Sequence, residues 1–278
     1  MTIEKICDVK HIVEKDRLVL IEQAELLNLD WFHATAVCEL LRLDRPIRSA
    51  ARSALRYLHR GHLLRDSMPE LAYFCIVTAE EEAATALFHA LKHRNYQGAG
   101  RLNVRDHRHK SAVWPFLQCV GSSLSLIEPH FDPKLEFQED EVTLRQVLKS
   151  RVTIRLPDGE EKWAYPEPPL NFDLRLNGEP HPFEREMGEL SASANVKNIQ
   201  RLITHRSNER NRTLYAAQTG IPHVTIPMAD LRARQEIVFM EFFVLLLVAQ
   251  EVEHQPFVQH SLDVFLDVLD RLKLRTKD

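Results

Sequence analysis

A short basic segment carries the residue types that acid–base chemistry at a phosphate requires. It reads Arg105-Asp-His-Arg-His-Lys110. A histidine can give or take a proton near neutral pH, and a neighbouring arginine or lysine can hold a phosphate and stabilise developing negative charge. Arg105 and His109 are four residues apart, which would place them on the same side of a helix. The segment predicts metal-independent RNA cleavage with His109 as the acid/base and Arg105 and Lys110 as phosphate ligands, although a solvated basic turn would have the same composition.

A run of three glutamates, residues 80–82, lies within a long predicted helix. Consecutive helical residues point about 100° apart, so the three carboxylates cannot share one face. Glu82 lies near the apolar side, three residues after Ala79. A carboxylate there needs a partner, because burial of an unpaired charge is costly. Two interpretations are open: a solvated acidic patch with one structural ion pair, or a carboxylate that orients a basic cluster.

The charges are unevenly distributed along the chain. His89–Lys110 holds six Lys/Arg, four His and one acid, and Lys197–Arg212 holds five Lys/Arg and one acid. Residues 128–189 hold fifteen acids and eight bases, so the formal net charge of −4 hides two basic clusters separated by an acidic stretch. A solvated surface helix is the competing interpretation of the second cluster. The side chains predicted to contact RNA are Arg101, Arg108, Arg201, His205, Arg206, Arg210 and Arg212.

Composition excludes several classes of protein. The 278 residues are 44% hydrophobic and 27% charged, and only 8 are glycine, which argues against β-barrels, propellers and glycine-rich phosphate loops. The four cysteines form no Cys-x-x-Cys pair, so we expect buried thiols in a reducing compartment, with no metal and no cofactor. The first ten residues lack the apolar core of a signal peptide, and no apolar stretch is long enough to span a bilayer. We therefore expect a cytoplasmic protein that does not contact membranes.

Apolar residues at three- and four-residue spacing predict a mainly helical protein. Pro115 is expected to kink or divide one helix. The most apolar segment must be buried or lie in an oligomer interface. The predicted helices are Asp16–Leu27, His33–Leu43, Arg48–His62, Pro69–Arg94, Val104–Ser122, Ser191–Ala216, Ala229–Val252 and Phe257–Leu274.

Residues 128–189 differ from the rest, because they hold eight of the fourteen prolines. Val152–Leu156 alternates like a strand and is followed by a Pro-Asp-Gly turn signal. Leu174–Leu176 precedes Asn177-Gly178, a second turn signal. We predict an irregular β-containing insertion, with a short helix over Glu141–Lys149.

The order of these motifs resembles that of the AbiV-type abortive-infection proteins, which belong to the HEPN superfamily. The resemblance covers roughly residues 48–225. In that family an alanine-rich helix carries a Glu-Glu pair, a His-Lys pair follows on the next helix, and a late segment precedes a glycine and a proline. The matching residues are Glu81, Glu82, His109, Lys110, Arg210, Leu214, Tyr215, Gly220 and Pro222.

The resemblance implies an HEPN-like antiparallel helical bundle that forms a homodimer, and an antiphage abortive-infection protein that is an RNA-directed toxin or ribonuclease. Glu81 and Glu82 would supply the acidic pair, with Glu82 orienting the basic cluster. The predicted organisation is a helical extension at 1–47, a helical core at 48–127 and 190–278, and the insertion at 128–189. Two alternatives are a non-enzymatic module that blocks phage growth by binding a phage or translation component, and a helical scaffold with no nucleic-acid role.

Overall fold

The computed structural model describes residues 22–125, 131–143, 145–156, 158–214 and 225–274. These residues are mainly helical with a small antiparallel sheet, as predicted. Residues 22–26 are helical, and residues 16–21 of the first predicted helix lie outside the described part. The further helices are α1 Trp31–Leu40, α2 Arg45–Leu64, α3 Pro69–His93, α4 His107–Ser111, α5 Val113–Ser125, α6 Glu184–Ser193, α7 Ile199–Leu214, α8 Met228–Ala249 and α9 Pro256–Leu274.

The chain divides into two compact units. The first contains the described residues of Met1–His89, Glu139–Val147 and Asn208–Leu246. The second contains those of Ala90–Gln138, Leu148–Ser207 and Leu247–Asp278. No helix in the described ranges is long and apolar enough to cross a membrane.

Helices α2 and α3 form where the sequence predicts them. Pro46 lies in the first turn of α2, where its missing N–H costs no hydrogen bond. The buried side of α2 includes Ile47, Leu55 and Leu58. Helix α3 runs for 25 residues without an internal glycine or proline, as its content of Ala, Leu and Glu favours.

The apolar segment predicted over Ala229–Val252 forms α8. Its side chains are buried within the chain itself, including Val238, Phe239 and Phe242 at 0% exposure. Of the two predicted settings for this helix, the deep core is therefore the one observed. The apolarity of α8 gives no reason of its own to expect a dimer.

The predicted insertion contains all the described strands, which are β1 Phe131–Glu139, β2 Gln146–Arg155, β3 Glu161–Ala164, β4 Arg175–Leu176 and β5 Glu179–Pro180. One sheet has the order β1-β2-β3, and β2 and β3 are antiparallel, with Val152 opposite Ala164. The expected strand over residues 152–156 is thus the end of a longer one.

The helix predicted over Glu141–Lys149 is wrong, because this segment turns the chain from β1 into β2. Asp140 accepts hydrogen bonds from the backbone N–H groups of Val142 and Thr143. From residue 146 onward, burial alternates with a period of two, and Leu148 lies on the buried face. A side-chain cap on the turn and a two-residue period favour strand over helix.

The turn signal at Asn177-Gly178 is confirmed as the connection of a small hairpin. Strands β4 and β5 pair antiparallel, with Leu176 opposite Glu179. Both turn residues have positive φ, 53° for Asn177 and 87° for Gly178. Asparagine and glycine tolerate this backbone region, and two successive positive φ values match the twist of a two-residue hairpin.

Two of the predicted helices are divided. The helix expected over Val104–Ser122 forms as α4 and α5, which separate at Ala112 ahead of Pro115, a residue with no N–H to continue the ladder. The single helix expected over Ser191–Ala216 is wrong, because α6 ends at Ser193 and α7 begins at Ile199. Asn195 adopts a φ of 53° between them, and Asn198 accepts a bond from the Arg201 N–H.

Candidate functional site

The first unit contains a cluster of polar side chains from three helices. Tyr73 and Glu80 lie seven residues apart on α3, two helical turns, so they project from the same side of the helix. Glu209 comes from α7 and Arg234 from α8. We call these four residues the Arg234 cluster.

The guanidinium of Arg234 joins the whole cluster. Its Nη1 donates to Glu80 Oε1 at 2.9 Å, and its Nη2 donates to Glu209 Oε2 at 3.0 Å and to Tyr73 Oη at 2.9 Å. The Tyr73 hydroxyl in turn donates to Glu209 Oε2 at 2.8 Å. The Arg234 side chain is 19% exposed and that of Glu80 is 9% exposed, so these contacts are largely removed from water. Charge-assisted bonds in such surroundings hold their donors and acceptors firmly in position.

The environment of the cluster raises the pKa of two of its members, Tyr73 and Arg234. Burial is the main reason that the pKa of Tyr73 rises to about 12; Arg234 opposes this rise, and Glu209 and Glu80 add to it. Burial works against a charged guanidinium, but the negative charge of Glu80, with smaller contributions from Tyr73 and Glu209, outweighs it and raises the pKa of Arg234. At neutral pH the tyrosine is therefore a hydrogen-bond donor and the arginine a fixed cation.

The raised pKa of Tyr73 predicts a loss of stability in alkali. A tyrosine in the unfolded chain ionises near pH 10, so the contribution of Tyr73 is complete below that pH and is lost as the pH rises through about 12. We expect a loss of about 1 kcal/mol after allowance for solvent screening of the partly exposed ring. Urea unfolding of the wild type and of Tyr73→Phe between pH 9 and 12 measures it. If the free energy of unfolding falls with pH in the same way for both proteins, the prediction is contradicted.

The sequence did not predict the Arg234 cluster, and the member of the glutamate run that belongs to it is Glu80 and not Glu82, the residue singled out from the sequence. Glu80 and Glu81 are 7% and 3% exposed, whereas Glu82 is only half-buried. The seven-residue spacing of Tyr73 and Glu80 was a usable signal for a shared face. Nothing local pointed to Arg234, because Glu80 and Tyr73 lie 154 and 161 positions away in the chain and Glu209 lies 25 positions away.

In the second unit, residues 103–110 form a loop and the short helix α4. Asp106 caps α4, because its carboxylate accepts the Arg108 N–H at 2.9 Å. The same carboxylate lies 3.3 Å from Arg108 Nη2. Asn103 Oδ1 accepts the Arg105 N–H at 2.9 Å. These local bonds hold the loop in one conformation, with the Arg105 side chain exposed.

His109 is held inside this loop. Its Nδ1 accepts the Asn103 N–H at 3.2 Å, which places the proton of a neutral ring on Nε2. Nε2 lies 3.8 Å from Asp106 Oδ2, and the side chain is 6% exposed. Lys110 is also buried, at 7%. One tautomer of His109 is therefore favoured, and its ring lies against the atoms of its own loop.

The expectation that Arg105 and His109 share one face of a helix is wrong. Helix α4 begins at His107, because Asp106 is its N-cap, and Arg105 precedes that cap. Arg101, predicted to contact RNA, forms an ion pair with Asp270 of α9. Arg105 therefore presents its charge from a loop, whereas Arg108 lies in the short helix α4.

The second predicted basic cluster lies on α7. Arg201 and His205 are exposed and Arg206 is half-buried. Arg210 and Arg212 are in α7, but their side chains lie outside the described part, as do the matched residues Tyr215, Gly220 and Pro222. Glu81 and Glu82 belong to the first unit. His109, Lys110 and residues 201–206 belong to the second.

Among the described residues, no group of three or more His, Cys, Asp or Glu side chains could hold a metal ion. Glu251 and His254 form a Glu-x-x-His pair, the spacing found in carboxylate-bridged di-iron sites, but both side chains bind groups of the protein. Glu251 lies 3.7 Å from Lys149 Nζ, and His254 Nε2 bonds to the Arg94 carbonyl at 2.7 Å. Comparisons with protein-family models, with curated proteins and with solved structures find no match to this chain.

Proposed function

We propose that this chain is an RNA-directed abortive-infection protein of the HEPN-like kind, acting as a toxin on RNA in antiphage defence. The observation that supports the proposal is the basic loop in the second unit. It holds Arg105 outward on a backbone fixed by Asn103 and Asp106. A preformed loop that presents guanidinium groups is suited to phosphate oxygens, since little ordering is needed on binding.

In this proposal, Arg105 and Lys110 hold the phosphate, Arg108 contacts the same RNA, and His109 is the acid/base of a metal-independent cleavage. The 2′-hydroxyl of RNA would attack the adjacent phosphate as the bond from phosphorus to the 5′-oxygen breaks, giving a 2′,3′-cyclic phosphate and a free 5′-hydroxyl. His109 would take the proton of the 2′-hydroxyl and pass it to the leaving 5′-oxygen, and the arginines would stabilise the negative charge that develops. The nitrogen that takes the proton would be Nδ1, the unprotonated one in the favoured tautomer, and it would have to exchange its bond with the Asn103 N–H for the RNA.

The burial of His109 favours a second candidate, a non-enzymatic module that binds RNA or a phage or translation component. In that case His109 is a positioning residue, because its Nδ1 bond to the Asn103 N–H closes the loop that presents Arg105. The loop then binds its ligand without acid/base chemistry. A homodimer, expected from the resemblance, is compatible with either candidate and is checked by the molar mass in solution.

RNA binding is the first test of the proposal. The wild type should bind a labelled single-stranded RNA with an affinity that falls steeply with salt, and Arg105→Gln should reduce the slope of log K against log salt by about 0.7, the value for one lost phosphate contact. Fluorescence anisotropy at several salt concentrations measures this. Absence of salt-dependent binding by the wild type would refute the proposal.

His109→Ala separates the two candidates. Loss of RNA cleavage and of growth arrest, with an unchanged melting temperature, supports catalysis by His109. If the variant melts several degrees lower and the wild type cleaves no RNA, the binding module is correct. A variant that still cleaves RNA at the wild-type rate removes His109 from the mechanism.

A further inference from the structure

Helix α2 in the first unit has a strongly basic face that none of the assignments above uses. Its 20 residues include five arginines and no acid. Four of the arginines are exposed and the fifth is half-buried. The exposed ones are Arg45, Arg52, Arg56 and Arg60, and the half-buried one is Arg48.

Three of these arginines form a continuous row. Arg52, Arg56 and Arg60 follow one another at four-residue spacing, so each lies one turn, about 6 Å, farther along the same side of the helix. Like charges at this spacing repel one another and weaken the helix by a few tenths of a kcal/mol per pair. A polyanion with regularly spaced charges would remove that repulsion.

An aromatic ring lies within this row. The Arg56 and Arg60 guanidinium carbons lie 5.7 Å and 5.9 Å from the centroid of the Tyr57 ring. In the part of the chain that the structure describes, Arg45, Arg56 and Arg60 form no ion pair with an acidic side chain. Planar guanidinium groups beside a tyrosine offer surfaces on which unpaired bases can stack, while the charges contact phosphates.

The other side of α2 argues against insertion of this helix into a lipid bilayer. An amphipathic helix binds a bilayer by inserting its apolar side among the acyl chains. The apolar side of α2 is already packed inside the protein, with Ala54 and Leu58 at 0% exposure and Ile47 at 2%. The side of α2 that can contact a partner is therefore the charged one, and it can bind through electrostatic contacts and base stacking.

We infer that the exposed face of α2 is a binding surface for single-stranded RNA, in which Arg52, Arg56 and Arg60 contact successive phosphates and a base stacks beside Tyr57. This inference rests on the proposed function and extends it, because it assigns an RNA surface to the first unit, away in sequence from the basic loop at residues 103–110. Sequence-independent binding follows, since none of these groups reads base edges.

The test compares two triple variants of the full chain. Arg52→Gln/Arg56→Gln/Arg60→Gln removes the row while keeping good helix formers. Arg155→Gln/Arg175→Gln/Arg185→Gln removes the same charge from exposed arginines of the second unit, each of which has an acidic neighbour. Anisotropy with a labelled 20-nucleotide RNA is measured across salt concentrations, and thermal unfolding checks that both variants are folded.

The α2 variant should bind RNA about tenfold more weakly at low salt, with a slope of log K against log salt smaller by about 2, as expected for three lost phosphate contacts. The control variant should stay within twofold of the wild type. If the wild type binds RNA and the α2 variant binds equally well, the inference fails while the proposed function stands. If the wild type binds no RNA, both fail. Binding of the wild type, but not of the α2 variant, to phosphatidylserine vesicles with RNA affinity unchanged would replace RNA with a membrane.

Discussion

Replacing Arg234 with methionine should lower the free energy of unfolding by about 3 kcal/mol, the lower end of the range for a broken buried ion pair because some solvent reaches the site. The substitution keeps most of the side-chain volume but removes the charge that pairs Glu80 and Glu209, and it removes a donor to Tyr73. Urea unfolding followed by circular dichroism measures the change. The loss is large because three helices contribute to the cluster and all of them depend on one guanidinium.

A neighbouring arginine provides the control for this prediction. Arg232 is exposed on the same helix, and Arg232→Met should change stability by less than about 0.5 kcal/mol. Combining Arg234→Met with Glu80→Gln should cost less than the sum of the two single changes, because both remove the same ion pair. An Arg234→Met protein as stable as the Arg232 control would show that the cluster makes no net contribution to folding.

Phe239→Ala should destabilise the protein by about 3–5 kcal/mol, the usual cost of removing a buried phenylalanine ring. Phe239 has no exposed surface. Its ring meets the His33 ring edge to face with the centroids 4.6 Å apart, and it lies 5.7 Å from the Phe242 ring. Deletion of the ring leaves a cavity between α1 and α8 that these fixed neighbours cannot fill.

The next residue along α8 serves as the control for this change. Met240 is 43% exposed, so Met240→Ala should alter the free energy of unfolding by about 0.5 kcal/mol or less. Phe239→Leu should fall between the two, since most of the volume remains. A small effect of Phe239→Ala would mean that α8 is stabilised chiefly by contacts outside this aromatic group.

Helices with long apolar periods were predictable from the sequence. Helix α3 was expected over Pro69–Arg94 and forms over Pro69–His93, and α9 was expected over Phe257–Leu274 and forms over Pro256–Leu274. In these long helices the apolar spacing repeats over several turns, so it identifies the helix without knowledge of the elements that pack against it. A short segment contains too few repeats for this. Residues 141–149 were expected to be a helix, but residues 141–143 form a turn capped by Asp140, and residues 146–149 are the start of β2.

Less of the candidate site was predictable. Spacing identified the glutamate run and the basic segment at 105–110, but not which carboxylate is paired. The pairing of Glu80 depends on where α8 places Arg234, and no local pattern encodes that position. The prediction that Arg105 and His109 share a helical face was wrong for a local reason. Asp106 is the N-cap, so the helix begins at His107, two residues after Arg105.

The sequence by itself therefore determined the mainly helical class, the extents of the long helices and the Asn177-Gly178 turn, because periodicity and positive φ are properties of neighbouring residues. Tertiary structure alone decided the joining of Tyr73, Glu80, Glu209 and Arg234. Burial of a charged side chain is costly unless an oppositely charged group lies beside it. Here that group is brought into contact by the packing of helices that are far apart in the chain.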